Sequence, residues 1–317
     1  MSKIKNTISF IKDTFNSNEF IPLHEPRFVG NEKKYLMDTI DSTFVSSVGA
    51  YVDQFEQMMQ NITETKKAVA VVNGTAGIQV ALRLVGVKAN DEVITQALTF
   101  VATANAIAYN NASPVFLDVD KDTMGLSPSA VSNFLEEYGE LREDGCYNKK
   151  TGKRIAACLP MHTFGFPVRI DELIEVCEKW NIPVVEDAAE SLGSEYKGKP
   201  TGSFGNVGVF SFNGNKIVTC GGGGAIVTNN VVLGEKAKEF ESERGQSFEN
   251  IVKTNLAKFY TETIEFQDKQ DDLVIKGLSV FSKSGKYESE DIIKDRTTVT
   301  EKLHALGYQQ DKVSYIL

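Results

Sequence analysis

The sequence holds few of the residues that build metal centres or covalent scaffolds. Three histidines occur, His24, His162 and His304, far apart along the chain. The four cysteines, Cys146, Cys158, Cys177 and Cys220, contain no C-x-x-C pair. A zinc site needs several His or Cys at short spacing, and a disulfide framework needs paired cysteines, so neither is expected. Reduced thiols and a cytoplasmic setting are the corresponding expectation. No apolar run approaches the roughly 18 residues of a membrane span. The opening MSKIKNTISFIKDTFNSNEF mixes polar and apolar residues without a signal-peptide pattern. Basic charge is short as well: 34 Lys and Arg stand against 43 Asp and Glu, a net charge of −9. Nucleic-acid binding needs clustered Lys and Arg against phosphate, so this balance argues against it.

What is present is ordinary globular material. The 317 residues are 41% apolar and 24% charged, enough for a large core and, by length, about two domains. Residues 1–60 read as polar helices, with Tyr35, Leu36 and Ile40 on one face and Val52, Phe55 and Met59 on another. From Lys67 the texture changes. Short apolar runs, AVAVV (68–72), EVIT (92–95), SPVFLDVD (113–120), RIAACLP (154–160), IPVVED (182–187), VGVFSF (207–212) and AIVT (225–228), read as strands. Between them lie helix-compatible stretches, including TAGIQVALRLVGV, TFVATANAIAYN, a start at Ser127-Pro128 and IDELIEVCEKW (170–180). This alternation predicts an α/β fold of three layers, with a mostly parallel central sheet between helices. Ligands in such sheets sit at the carboxyl ends of the strands. Past about Glu243 the tail is rich in Lys, Glu and Asp, with helix-compatible stretches (IVKTNLAKFY, EDIIKDRTTVTEKLHAL) and no strand series.

Three strand ends carry candidate chemistry. Asn73-Gly74-Thr75-Ala76-Gly77 follows a strand and opens a helix, where free N–H groups can bind an anion. Its plain alternative is a strand-to-helix turn. Asp187, in VVEDAAE, ends another strand and can hold a buried cation such as a protonated heteroaromatic nitrogen. Its alternative is a helix cap. Lys216, in SFNGNK before Gly221–Gly224, can become a nucleophile that forms a Schiff base. Its alternative is a solvated surface lysine. Taken in order, a phosphate-binding helix start, a strand-end Asp and a lysine beside a glycine-rich turn match the needs of pyridoxal phosphate. The nucleotide-binding alternative lacks both a GxxxxGK[ST] loop and a GxGxxG fingerprint.

The segments NGTAGIQVAL, ALTFVATANAI, PVFLDVD, PMHTFGFP, VVEDAAESLGSEYKGK and FSFNGNKIVTCGGGGAIVT, with FIPLHEPRFVGNEKKYLMDTIDSTFVSSVGAYVDQFE before them, together resemble the DegT/DnrJ/EryC1/StrS nucleotide-sugar aminotransferases. These are fold-type-I pyridoxal phosphate enzymes with an aspartate-aminotransferase-like large domain. The resemblance covers roughly residues 20–240 and is nearest to the branch acting on UDP-linked 4-keto-6-deoxy amino sugars, as in legionaminic acid biosynthesis. It implies that Lys216 is the Schiff-base lysine and the catalytic residue, and that Asp187 pairs with the pyridine nitrogen. It further implies that Thr75, Ala76 and Ser211 contact the phosphate, that Phe100 stacks on the cofactor ring, and that Glu190 lies near the cofactor. A dehydrating branch carries His in place of the lysine, so Lys216 favours transamination. His162 matches a family position near the active site, and a satisfied strand-end histidine is the alternative. No metal is implied.

The implied reaction moves an amino group, from glutamate, to a UDP-linked 4-keto-6-deoxy sugar in bacterial surface-glycan or nonulosonic acid biosynthesis, in a cytoplasmic homodimer without nucleic-acid or membrane partners. The expected division is a helical segment at 1–30, a pyridoxal phosphate-binding large domain at 31–244, and a segment at 245–317 atypical of the family. The family's Asn-Tyr-Arg-Met-like segment, whose Asn reaches the partner's cofactor phosphate, does not occur in 245–317. The expected small domain is therefore shortened or atypical. The alternative function is a cofactor-binding relic or regulatory protein without turnover.

Overall fold

The structure is a computed structural model that describes residues 2–22, 25–45 and 49–240. His24, His304 and the tail at 245–317, with its helix-compatible stretches, lie outside the described residues. The chain divides into two units, Met1–Arg244 and Gly245–Leu317, and everything described belongs to the first.

Three helices open the chain: α1 (Ser2–Phe15), α2 (Glu32–Asp41) and α3 (Ala50–Thr63). Then come β1 (Lys67–Val71), α4 (Gly74–Leu84), β2 (Glu92–Gln96), α5 (Val101–Ala108), β3 (Ser113–Leu117) and α6 (Pro128–Tyr138). A hairpin of β4 (Gly139–Arg142) and β5 (Gly145–Asn148) leads to β6 (Arg154–Leu159), α7 (Ile170–Lys179) and β7 (Val185–Asp187). A second hairpin, β8 (Glu195–Tyr196) and β9 (Lys199–Pro200), precedes β10 (Val207–Ser211) and β11 (Gly224–Thr228). Residues 231–240 are helical.

The helix starts follow local chemistry. Asn73 is extended, and its side chain accepts the N–H of Ala76, opening α4. Ser127 accepts the N–H of Ala130, with Pro128 in the first turn of α6. In each case a side chain satisfies a donor that the helix leaves unpaired.

The central sheet runs β3-β2-β6-β7-β10-β11-β1. The ladders β2 to β3, β2 to β6 and β7 to β10 are parallel. Two parallel bridges, Cys158 to Val184 and Met161 to Asp187, join the β6 segment to the β7 segment. β11 alone among the described strands of this series runs antiparallel to its neighbours, lying between β10 and β1. The mostly parallel sheet expected from the sequence is thus present, with one reversed strand near its edge.

Both faces of the sheet are covered. Val93 and Ala157 pack in one cluster with Ile78, Ala81 and Leu82 of α4 and Ile107 of α5. Their chain neighbours Ile94 and Cys158 pack in another with Val131 and Leu135 of α6 and Leu173 and Cys177 of α7. Successive strand residues point to opposite faces, so a strand covered on both sides reads as an unbroken apolar run. A third cluster sets Met59 of α3 against Ala225 and Val227 of β11 and Phe210 of β10.

Several sequence readings change. β7 spans three residues of the expected 182–187, and β3 stops at Leu117 rather than Asp120. The two hairpins escape the sequence reading because their strands are short and polar. In the segment 1–30, helix covers Ser2–Phe15, and the described remainder is irregular. Cys220 is exposed, while Cys146, Cys158 and Cys177 are buried. No described helix is long and apolar enough to cross a membrane.

One glycine is required by close approach. A Cβ on Gly208 would lie 2.1 Å from the carbonyl oxygen of Gly202, a backbone atom that cannot rotate away. Gly208→Ala is therefore expected to cost about 2–3 kcal/mol or more, as overpacking of a dense core does. Gly214→Ala, where a Cβ meets nothing within 4 Å, is expected to stay within about 0.5 kcal/mol. Urea unfolding of the two variants compares these outcomes directly.

Candidate active site

The ends of β1, β2, β7 and β10 and the loops that follow them carry Thr75 and Ala76, Phe100, Asp187 and Glu190, and Ser211 and Lys216, while His162 follows β6. At the end of β1, Gly74 starts α4 directly against Ser211 at the end of β10. A Cβ on Gly74 would sit 2.9 Å from the Ser211 Cβ and 3.3 Å from its Oγ. Only glycine lets the first turn of α4 press this close to β10. Thr75 and Ala76 follow in that turn. The Ala76 N–H donates to Asn73 Oδ1 at 2.8 Å, which leaves Thr75 without a side-chain cap. The helix start keeps the partial positive charge of its amide dipoles.

β7 carries two adjacent carboxylates, and strand alternation sends them to opposite faces. Asp187 is 3% exposed. Its Oδ2 accepts from the Thr103 hydroxyl at 2.8 Å, and its Oδ1 accepts the Ala189 N–H at 3.2 Å. Burial pushes the Asp187 carboxyl above the usual carboxylate range, and the hydrogen bonds from Thr103 and Ala189 and the charge of Lys216 offset only part of that. No ion pair to Asp187 occurs among the described residues. The cap reading does not hold, because turns and not a helix follow Asp187.

Glu186 faces the other way and is fully buried. Its Oε2 accepts from Gly202 N–H at 2.8 Å and lies 3.0 Å from His162 Nε2. Its Oε1 accepts the N–H groups of Phe204 at 2.8 Å and Gly205 at 2.7 Å. The Val168 N–H donates to His162 Nδ1 at 3.3 Å, so the ring proton sits on Nε2 and points at Glu186. Burial alone would raise the Glu186 carboxyl, but the hydrogen bond from His162 and the backbone amides hold it below its ordinary value. His162 is therefore the satisfied strand-end histidine of the sequence reading.

Lys216 lies in the loop between β10 and β11. Its side chain is 10% exposed, which removes the surface-lysine reading. Nζ donates to Glu190 Oε1 at 2.8 Å and lies 5.7 Å from the centroid of the Phe100 ring. The structure thus brings Lys216, Glu190 and Phe100 into one group, Asp187 close to it, and Thr75, Ala76 and Ser211 into a second group. Among the described residues no three His, Cys, Asp or Glu side chains gather as a metal site would.

Thr103 and Gln96 escape the sequence reading, as Glu186 does. Thr103 holds Asp187, and its hydroxyl lies 2.7 Å from that of Thr99. Gln96 ends β2 with a fully buried amide. Its Oε1 accepts the N–H groups of Leu126 and Met161, and its Nε2 donates to Leu98 O and Thr163 Oγ1, so it pins the Phe100 loop to the His162 turn. The available signal for Thr103 was its place one helical turn after Phe100. For Gln96 it was a polar residue closing an apolar strand.

Most of the chain is similar to known proteins. EpsN of Bacillus subtilis (strain 168), named as a pyridoxal phosphate-dependent aminotransferase, is 42% identical over 223 residues, covering 70% of this chain and 55% of that protein. GDP-perosamine synthase of Escherichia coli O157:H7 is 35% identical over 225 residues, covering 71% of this chain and 57% of that one. The chain spans a little over half the length of these curated relatives. Among solved structures, Helicobacter pylori PseC, an aminotransferase of pseudoaminic acid biosynthesis, superposes with a TM-score of 0.60 at 27% identity, over 71% of this chain and 56% of PseC. The model of the DegT/DnrJ/EryC1/StrS aminotransferase family matches residues 26–261, about three quarters of the sequence, and the chain belongs to that family.

Proposed function

We propose that this chain carries the cofactor site of an aminotransferase that takes an amino group from glutamate and delivers it to a nucleotide-linked keto sugar. Pyridoxal phosphate is the cofactor of the family. The observation that carries the reading is Asp187, a buried carboxylate held by two neutral donors with no ion pair among the described residues. A buried charge of this kind calls for a cation, and a protonated ring nitrogen is one. The other residues fit the same group. The Thr75 N–H and hydroxyl and the Ser211 hydroxyl are available to phosphate, which would compete with Asn73 Oδ1 for the Ala76 N–H. Phe100 offers a ring face, and Lys216 an amine.

Pyridoxal phosphate, when bound, supplies an electron sink that lets a C–H bond beside the transferred nitrogen ionise. The chain does the rest. Lys216 Nζ would hold the cofactor and, as a free amine, would serve as the base and acid that moves the proton. Glu190 Oε1 orients that amine. Phe100 keeps water from one face of the site. Asp187 would hold the proton on the ring nitrogen.

The relatives named GDP-perosamine synthase and PseC support a sugar acceptor. UDP as the nucleotide, a 4-keto-6-deoxy sugar and a surface-glycan or nonulosonic acid pathway are the part of the proposal that rests on sequence resemblance. The homodimer is part of it too. Leu98 and Val101 beside Phe100, and Ile217 and Val218 after Lys216, are 46–62% exposed, as side chains awaiting a partner surface would be.

Two outcomes test the reading. Protein reconstituted with pyridoxal phosphate should show a visible absorbance band that glutamate converts to the amine form of the cofactor. Lys216→Ala should lose that band and at least about 10³-fold of the conversion rate, while retaining some cofactor. A band that persists unchanged in the variant would sink the lysine assignment, and a wild-type band indifferent to glutamate would sink the donor. Asp187→Asn separates binding from stability. A raised folded-state carboxyl costs stability as pH rises through its titration, so the cofactor-free variant should unfold at a higher temperature than the parent at neutral pH and lose that advantage in acid. The same variant should bind pyridoxal phosphate at least about tenfold more weakly. Thermal unfolding and equilibrium dialysis measure both effects.

A further inference from the structure

We infer that Thr103, backed by Thr99, is a positioning residue that fixes the Asp187 carboxylate in the orientation and charge state that the cofactor's ring nitrogen requires. The inference rests on the cofactor reading above and adds to it what the hydroxyls of Thr103 and Thr99 do for the charge of Asp187.

An ionised carboxylate only accepts, so Thr103 Oγ1 must spend its single proton on Asp187 Oδ2, 2.8 Å away. Thr103 Oγ1 can then only accept from Thr99 Oγ1, 2.7 Å away. The chain therefore has one direction, from Thr99 through Thr103 to Asp187. If Asp187 were protonated on Oδ2, the direction would reverse. Thr99 would then have to donate outward, and the acceptor the structure offers is Met161 Sδ at 3.1 Å. A thioether is a weak acceptor, so the reversed chain ends poorly. The forward chain ends on a charged oxygen, where hydrogen bonds are strong. The pair of hydroxyls thus selects the ionised form inside a site where burial opposes it.

The same helical turn also sets orientation. Phe100 caps α5 and is 60% exposed, while Thr103 is completely buried and its N–H donates to the Phe100 carbonyl at 3.1 Å. One turn of helix therefore presents the aromatic ring outward and the hydroxyl inward to Asp187. The Ala189 N–H on Oδ1 and Thr103 on Oδ2 together fix the rotation of the carboxyl group.

The test uses three variants of the chain reconstituted with pyridoxal phosphate. Thr103→Val keeps the shape and removes the hydroxyl, Thr103→Ser keeps the hydroxyl, and Thr99→Val removes only the backing donor. The readouts are the cofactor dissociation constant, the pH at which the visible spectrum changes, and the unfolding temperature without cofactor. Lys216 is the charged group that reaches Asp187, with Glu190 bonded to it; the His162–Glu186 pair lies on the other face of β7, and all four stay in place in every variant. Thr103→Val should weaken cofactor binding about tenfold, the scale of one hydrogen bond to a charged group, and displace the spectral titration by about one pH unit. Thr103→Ser should restore both. Thr99→Val should shift both in the same direction by less, and it reads the relay if Thr103→Val does not fold. Wild-type binding and titration in Thr103→Val, or the same loss in Thr103→Ser, would overturn the inference while leaving the cofactor reading intact. A wild-type chain that forms no visible band would overturn both.

Discussion

The carboxylate of Glu186 accepts hydrogen bonds from His162 and from the backbone N–H groups of Gly202, Phe204 and Gly205, entirely inside the core. The candidate site is assembled around this knot. A buried charge survives only when its acceptor capacity is filled, and here the chain fills it almost wholly with backbone. Because amides cannot rotate away as side chains do, the loop before β10 is held against β7. The bond to His162 draws in the turn after β6 as well. Losing one partner of a buried, hydrogen-bonded charge costs on the order of 3–5 kcal/mol, so little of the surrounding loop geometry is free to drift.

Asp187 is the next residue along and is treated in the opposite manner. Glu186 is held below its ordinary range by the donors it collects, whereas Asp187 is raised by burial that its two neutral donors only partly offset. Two neighbouring carboxylates on one strand are thereby separated into a structural anchor and a charge in waiting. Strained or unsatisfied groups of this kind concentrate where a protein binds something. The rigidity supplied by the first makes the deficit of the second possible.

The outline of the fold was legible in the sequence because strands covered on both faces read as apolar runs. EVIT and RIAACLP are such strands, with neighbouring residues in different clusters. The reversal of β11 was not legible, since AIVT looks the same in either direction and only pairing with β1 and β10 defines it. Lys216, Glu190 and Phe100 were picked out by motif and resemblance, and the structure gathers them; their roles toward a cofactor stay within the proposal. Thr103 and Gln96 were not picked out. Their importance lies in partners 84 and 67 positions away, Asp187 and Thr163, and no local pattern marks such distances. Glu186 was hidden for a related reason, because its partners are backbone amides that carry no sequence signature.

The place of β11 has a consequence for the order in which the site can mature on the ribosome. Among the described strands, β1 pairs with β11 and with nothing else, although β1 emerges first and β11 last. Until Gly224–Thr228 has been made, the strand that leads into the Asn73 turn has no hydrogen-bonded neighbour in the sheet. Pairings this distant in sequence are intrinsically slow, because loop closure must precede the contact that rewards it. The helix start beside Ser211 and the loop that carries Lys216 therefore both depend on the pairing of β11, the last described strand to be made.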